Sequence, residues 1–318
     1  MATLIPSSES LERPQAASPA AAASNSQPAI TIHTSVSPWR RSWWRLRRNR
    51  LAMAGAFILI CLSLVAFTVP TLLQINPYEQ SLRDSLVSPG SAAHWLGTDH
   101  LGRDILIRLI DGARISLTIG FISVGIAVLM GGLMGLVAGY FGGRIETILM
   151  RLMDMQLAFP GILAALVIVT VLGNGLTQAM IAVGISSIPK YARVVRGVTL
   201  ALKHSLFVEA AQCIGASDRR ILLLHIVPNA LGPVITLATM GLATAILSAA
   251  SLSFLGLGAQ PPTAEWGLML SEGRKYMRVA WWLAVFPGLA IMLTVIAINL
   301  LGDGVRDALD PYHRSEKE

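Results

Sequence analysis

Residues 209–228 read EAAQCIGASDRRILLLHIVP, a polar-edged pair of short helical segments set between long runs of membrane-grade hydrophobicity. Glu209 to Ile214 are small or helix-compatible residues, and Gly215 supplies a backbone free to turn. Ser217 is placed to cap a second helix, and Asp218 suits that helix's positive end. Pro228, which has no amide hydrogen and restricts its predecessor, is expected to stop it. Ile221, Leu224 and His225 share one face at three- and four-residue spacing, which leaves Arg219 and Arg220 on the other. Such a surface fits a groove on a soluble partner, and Ala210 and Ala211 allow close approach of another helix.

Working outward, Lys190, Arg193, Arg196 and Lys203 lead into this stretch, so residues 190–230 carry six basic side chains against Glu209 and Asp218. By the positive-inside rule that connection is cytoplasmic. The whole chain has 318 residues, 53% of them hydrophobic and 14% charged, with a mean hydropathy of +0.61. That is too apolar for one soluble domain and places the chain in a bilayer. The net charge of +7 is local, because six arginines lie between Arg40 and Arg50 and the remainder sums to +1. A nucleic-acid-binding arm would need a soluble fold to present it, and none is evident. Cys61 and Cys213 offer neither a metal spacing nor a plausible disulfide.

Residues 1–38, rich in Ala, Ser and Pro, are expected to be a disordered cytoplasmic tail. Residues 39–73 form a basic flank with Trp43 and Trp44 at the interface, followed by a first span over 51–73. Residues 74–114 are extracytoplasmic, with Asp104 to Asp111 expected as an amphipathic helix on the outer interface. A permease-like core of further spans occupies 115–302, and 303–318 return to the cytoplasm. The second span, 115–143, repeats Gly131, Gly135 and Gly139 at four-residue spacing, a nearly bare face for helix packing. A third span runs from Glu146 to Leu172, kinked at Pro160. Near its cytoplasmic end Arg151 and Asp154, three apart, are expected to pair. A fourth spans about 175–191, a fifth 231–255 and a sixth 279–302. The fold class is therefore all-α, a polytopic membrane protein of six transmembrane helices with both termini cytoplasmic.

The spacing of Glu209, Ala210, Ala211 and Gly215, with the apolar-Pro pair ending at Pro228, resembles the EAA loop of the permease subunits of binding-protein-dependent ABC importers. The elements GTD, GRD and GAR-I-S-L within residues 94–117 resemble the segment before the second span in the dipeptide, oligopeptide and nickel branch. SFLGLG, QPPTAEWG, FPGLAI and LLGDGVRDALDP between residues 253 and 311 are similar to the same branch. The resemblance covers nearly everything after residue 40. It implies that Glu209, Ala210, Ala211, Gly215, Ala216, Ser217, Asp218 and Pro228 form a cytoplasmic coupling helix that docks on an ATPase. It also implies a second homologous permease, two ATPase subunits, an extracytoplasmic solute-binding protein and a bacterial inner-membrane location. The implied cargo is di- or oligopeptides, with nickel chelates, opines or glutathione-like peptides behind.

The chain has no GxxxxGK[ST] element to cradle ATP phosphates, so any ATP is used by partner subunits and no cofactor is expected on this chain. No His or Cys cluster has metal-ligand spacing, no GxSxG is present, and an enzymatic reading has no chemistry to point to. The rival from another class is a self-sufficient secondary carrier or channel. That would want mid-membrane ionisable coordination and an internal repeat, neither of which stands out.

Overall fold

A computed structural model describes residues 38–309, with side chains from Trp43 onward. The tail expected over residues 1–38 and the last residues of the cytoplasmic terminus lie outside the described residues, apart from the first helical position, Pro38. Eleven α-helices follow in order: α1 (Pro38–Arg48), α2 (Arg50–Leu72), α3 (Ile105–Phe141), α4 (Gly143–Leu157), α5 (Gly161–Leu172), α6 (Leu176–Lys203), α7 (Leu206–Cys213), α8 (Asp218–Ile221), α9 (Val227–Phe254), α10 (Trp266–Gly273) and α11 (Trp282–Leu309). Among the described residues there is no strand, only one isolated bridge between Thr98 and Asp104.

Four helical stretches are long and apolar enough to cross a bilayer alone: Arg50–Leu72, Ile105–Phe141, Asp218–Phe254 and Trp282–Leu309. A fifth crossing requires α4 and α5 together, which meet at 93°. Pro160 thus breaks the expected third span rather than kinking it. It sits at the N-cap of α5 with an extended ψ of 131°, where its ring costs no hydrogen bond. The expected fourth span, α6, is apolar only as far as Pro189; Lys190, Arg193, Arg196 and Lys203 occupy its C-terminal half. Among the described residues, length and apolarity thus mark four spans, or five with the bent pair, and the sixth expected span is not marked by them.

Two more boundaries differ from expectation. Asp104 caps α3 by accepting from the Ile107 amide, and the helix runs on unbroken for 37 residues. The segment expected as a separate interfacial helix is its first two turns. Pro228 does not stop the helix after α8, because α8, a π-turn at Leu222–Ile226 and α9 are continuous. Pro228 cannot donate to the Leu224 carbonyl; it sits in the first turn of α9, just past the wider π-turn closed by the Val227 amide on Leu222 O.

The core is built where helices come close. A β-carbon on Gly131 would lie 2.5 Å from the Ile188 carbonyl oxygen, one on Gly135 would overlap the Ala192 carbonyl, and one on Gly139 would meet Thr199 at 2.8 Å. The glycine face of α3 therefore lies directly on α6. Ala165 and Val169 of α5, Ala179 and Val183 of α6, and Ala245, Ala249 and Leu252 of α9 complete the central cluster.

Between α2 and α3, residues 81–104 fold onto α10 and α11. Asp99 accepts from the Leu101 and Arg103 amides and, at 2.5 Å, from Arg103 Nε. Arg103 reaches Glu272 of α10 at 3.3 Å, and Arg108 donates to the Pro262 carbonyl at 3.2 Å. Both arginines are only 1% exposed. Fully buried charge is tolerated only when paired and hydrogen-bonded, and this network meets that condition. Asp104, for its part, pairs with His94 at 2.8 Å. Asp99 answers Arg103 from four residues away, and Glu272, distant in sequence, completes the pairing.

Candidate coupling site

Residues 206–221 form α7, a tight turn and α8. Ser205 occupies the N-cap position of α7, and Glu209 lies in its first turn, where its charge favours the helix. The helix is closed by a six-to-one bond from the Ala216 amide to Ala211 O and a second from the Gly215 amide to Gln212 O. Gly215 between them has φ +79°. That pairing is the Schellman termination, which needs a residue tolerant of the left-handed region at this position. No atom would obstruct a β-carbon on Gly215, so backbone conformation, not crowding, selects glycine.

The pair has two unlike faces. Inward, Val208 and Ala211 of α7 and Ile221 and Ile226 beyond the turn pack with Tyr140 near the C-terminal end of α3. Outward, Leu206 and Ile214 are 83% and 86% exposed, and Glu209, Ala210, Gln212, Arg219 and Arg220 share that exposed side. Pro228 is exposed on the far side of the π-turn. The expected cap at Ser217 is positional only, because its hydroxyl makes no capping bond. Of the predicted residues, Glu209 and Ala210 lie on the open face, whereas Ala211 and Asp218 serve the inward attachment.

Tyr140 is the residue that sequence reading missed. Its hydroxyl donates to Asp218 Oδ1 at 2.6 Å, and its carbonyl accepts from Lys203 Nζ at 2.7 Å. It therefore ties the turn after α7 both to α3 and to the last residue of α6. Nothing in the run GLVAGYF marks it apart from being the one hydroxylated aromatic at the end of an apolar helix.

A second charged cluster lies between α4 and α6. Glu146 and Arg196 form an ion pair, and Asp154 accepts from Arg193 at 2.5 Å. The expected Arg151–Asp154 pair is not formed. Arg193 on the facing helix takes the carboxylate, and Arg151 lines the open groove of about 570 Å³ beside it. Both Arg193 and Asp154 are more than half exposed, so the pair itself contributes little to stability.

Helices α4 and α6 are joined by one further bond. Pro189 leaves the Ile185 carbonyl without its helical donor, and Gln156 Nε2 supplies one at 2.7 Å. The break in one span thereby repairs the proline defect in the next.

An all-helical core with a two-faced α7–α8 pair narrows the possibilities, and comparison with known proteins shows the family. Residues 131–314 match the family described as binding-protein-dependent transport system inner membrane component. The chain belongs to that family. Residues 37–89 also match the N-terminal TM domain of oligopeptide transport permease C. Among curated relatives, the dipeptide transport system permease protein DppC of Alkalihalophilus pseudofirmus is 45% identical over 92% of this chain and 95% of its own length. The glutathione transport system permease protein GsiD of Escherichia coli is 49% identical over 91% of this chain and 96% of its own. Among solved structures, a chain of the MetNI methionine ABC transporter in an inward-facing conformation aligns with TM-score 0.53 at 19% identity, covering 65% of this permease and 98% of itself. That similarity speaks to the fold alone. The protein is thus an inner-membrane permease subunit of an ABC importer, a pore component rather than an enzyme.

Proposed function

We propose that this permease passes peptides across the inner membrane, with the coupling pair α7–α8 as the surface on which a cytoplasmic ATPase docks. The assembly contains a second homologous permease, two ATPase subunits that bind and hydrolyse ATP, and an extracytoplasmic solute-binding protein. Both termini lie in the cytoplasm, an orientation supported by the arginines before α2 and the basic inner half of α6. Peptide cargo is supported by the dipeptide and glutathione relatives, since glutathione is itself a tripeptide.

The single observation that carries the coupling reading is the two-faced loop. Leu206 and Ile214 stand out of it while Tyr140 and Asp218 bolt it to α3. A push on the exposed face is delivered through Asp218 to Tyr140 and through Lys203 to the end of α6. Those two helices meet along the glycine face, so the spans respond together and tilt between inward- and outward-open arrangements. Coupling of this kind is reciprocal, and a loaded binding protein outside raises ATP hydrolysis inside.

The test is uptake by proteoliposomes containing this chain, its partner permease, the ATPases and the binding protein. ATP-dependent accumulation of a labelled dipeptide or of glutathione is the expected result. Uptake by the permeases with no ATPase present overturns the reading in favour of a secondary carrier.

A further inference from the structure

The N-terminal helix α1 is not explained by transport or by coupling. It ends at Asn49, whose backbone is extended (φ −81°, ψ 102°) and whose side chain accepts from the Leu51 and Ala52 amides to start α2 afresh. α1 is therefore a separate helix rather than the lower part of the first span. Among its described side chains the partly covered one is Leu46, which approaches Gly304 of α11; a β-carbon there would meet Leu46 Cδ1 at 3.2 Å. Trp43, Trp44, Arg45, Arg47 and Arg48 all remain exposed.

Among the described residues the charge on this helix has no answer. There is no Asp or Glu between residues 13 and 78. Among the described residues, no carboxylate forms an ion pair with Arg45, Arg47, Arg48 or Arg50; that includes Asp303 and Asp307 on α11. Two of the guanidinium groups lie instead over indole rings, Arg47 on Trp43 at 5.6 Å and Arg48 on Trp44 at 5.0 Å. A stacked guanidinium keeps its edge donors free, and those donors match phosphate oxygens.

Position selects the source of those oxygens. α2 starts just past Asn49, and Leu51 and Phe57 on it are 65% and 67% exposed, as a lipid-facing helix requires. α1 is thus at headgroup depth, where tryptophan settles and clustered arginine meets anionic lipid.

We propose that α1 is an in-plane anchor that holds anionic phospholipid headgroups on Arg45, Arg47 and Arg48, with Trp43 and Trp44 seated at the interface. The proposal draws on the orientation given above only to say which leaflet is engaged. A symmetric bilayer tests it independently of transport.

The permease complex is reconstituted in nanodiscs of phosphatidylcholine mixed equally with phosphatidylglycerol, with one lipid or the other brominated on its acyl chains. The signal is the part of tryptophan quenching that disappears in the Trp43→Phe/Trp44→Phe variant. Each arginine at an anionic surface favours it by a factor of about five, so brominated phosphatidylglycerol quenches this signal several-fold more than brominated phosphatidylcholine. Arg45→Gln/Arg47→Gln/Arg48→Gln brings the ratio near one, Arg144→Gln leaves it unchanged, and added salt lowers it in the wild type. Equal quenching by the two lipids in the wild type overturns the proposal. So does a triple variant that keeps its lipid preference but no longer retains the ATPase subunits, because the arginines then belong to a protein interface.

Discussion

Replacing Gln156 by leucine removes the donor that serves the Ile185 carbonyl while keeping an apolar side chain of similar size. Pro189 offers no amide in its place, and Gln156 Nε2 is the group found there, at 2.7 Å. Leaving a buried acceptor unserved costs about 1–3 kcal/mol in water-soluble proteins. Interhelical hydrogen bonds measured in membranes average nearer 0.6 kcal/mol. Gln156 is only partly buried, so the lower part of that range applies, about 1 kcal/mol. The distinguishing step is the second substitution. Pro189→Ala restores an amide four residues after Ile185, so in that background Gln156→Leu costs close to nothing, and the double-mutant cycle shows a coupling of about 1 kcal/mol. Unfolding of the purified permease in graded denaturing detergent measures all four corners. Equal costs of Gln156→Leu with and without Pro189 refute the reasoning, because the glutamine is then not answering the proline.

Other expectations follow from the same geometry. Gly215→Ala destabilises the coupling turn by about 1–2 kcal/mol through its left-handed backbone alone, whereas Gly215→Asn is milder; protease accessibility of the loop reads the difference. Gly135→Ala, whose methyl would overlap the Ala192 carbonyl, lowers thermal stability sharply. Gly132→Ala one turn away, with nothing within 4 Å, leaves it unchanged or raises it. Glu265 caps α10 from a fully buried site, and burial raises its pKa above the ordinary 4.5 despite the Gly267 and Leu268 amides. A carboxyl raised in the folded state binds more protons folded than unfolded, so its contribution is greatest at low pH and declines as pH climbs from about 4.5 toward the raised value. The stability difference between wild type and Glu265→Gln therefore changes across that window and is flat only once the pH lies above the raised value.

Much of this was legible before any coordinates. Uncharged runs of twenty or more residues announced α2, α3, α9 and α11, since the bilayer forbids unpaired backbone and rewards apolar helix. Gly131, Gly135 and Gly139 signalled a packing face because bare backbone has few other uses in a membrane helix. Gly215 was readable because so few residues tolerate a helix ending of that kind. Prolines misled: Pro228 was expected to stop a helix that a π-turn carries past it, and Pro160 to bend one that it breaks by 93°. A proline marks a backbone defect, but the neighbours decide how it is absorbed. Partners across helices were not readable at all. Asp154 meets Arg193 rather than Arg151, and Tyr140 meets Asp218, because such contacts depend on how the helices are placed and not on spacing within one of them.

The central claim is that the α7–α8 pair transmits force between a bound ATPase and the spans. It is tested most directly by binding-protein-stimulated ATP hydrolysis in proteoliposomes, comparing the wild type with Glu209→Lys and Tyr140→Phe in correctly assembled complexes. Glu209→Lys alters the exposed face, and Tyr140→Phe removes only the bond to Asp218. Both variants are expected to lose stimulation and uptake, with Tyr140→Phe still retaining the ATPases. Stimulation and uptake undiminished in both contradict the account.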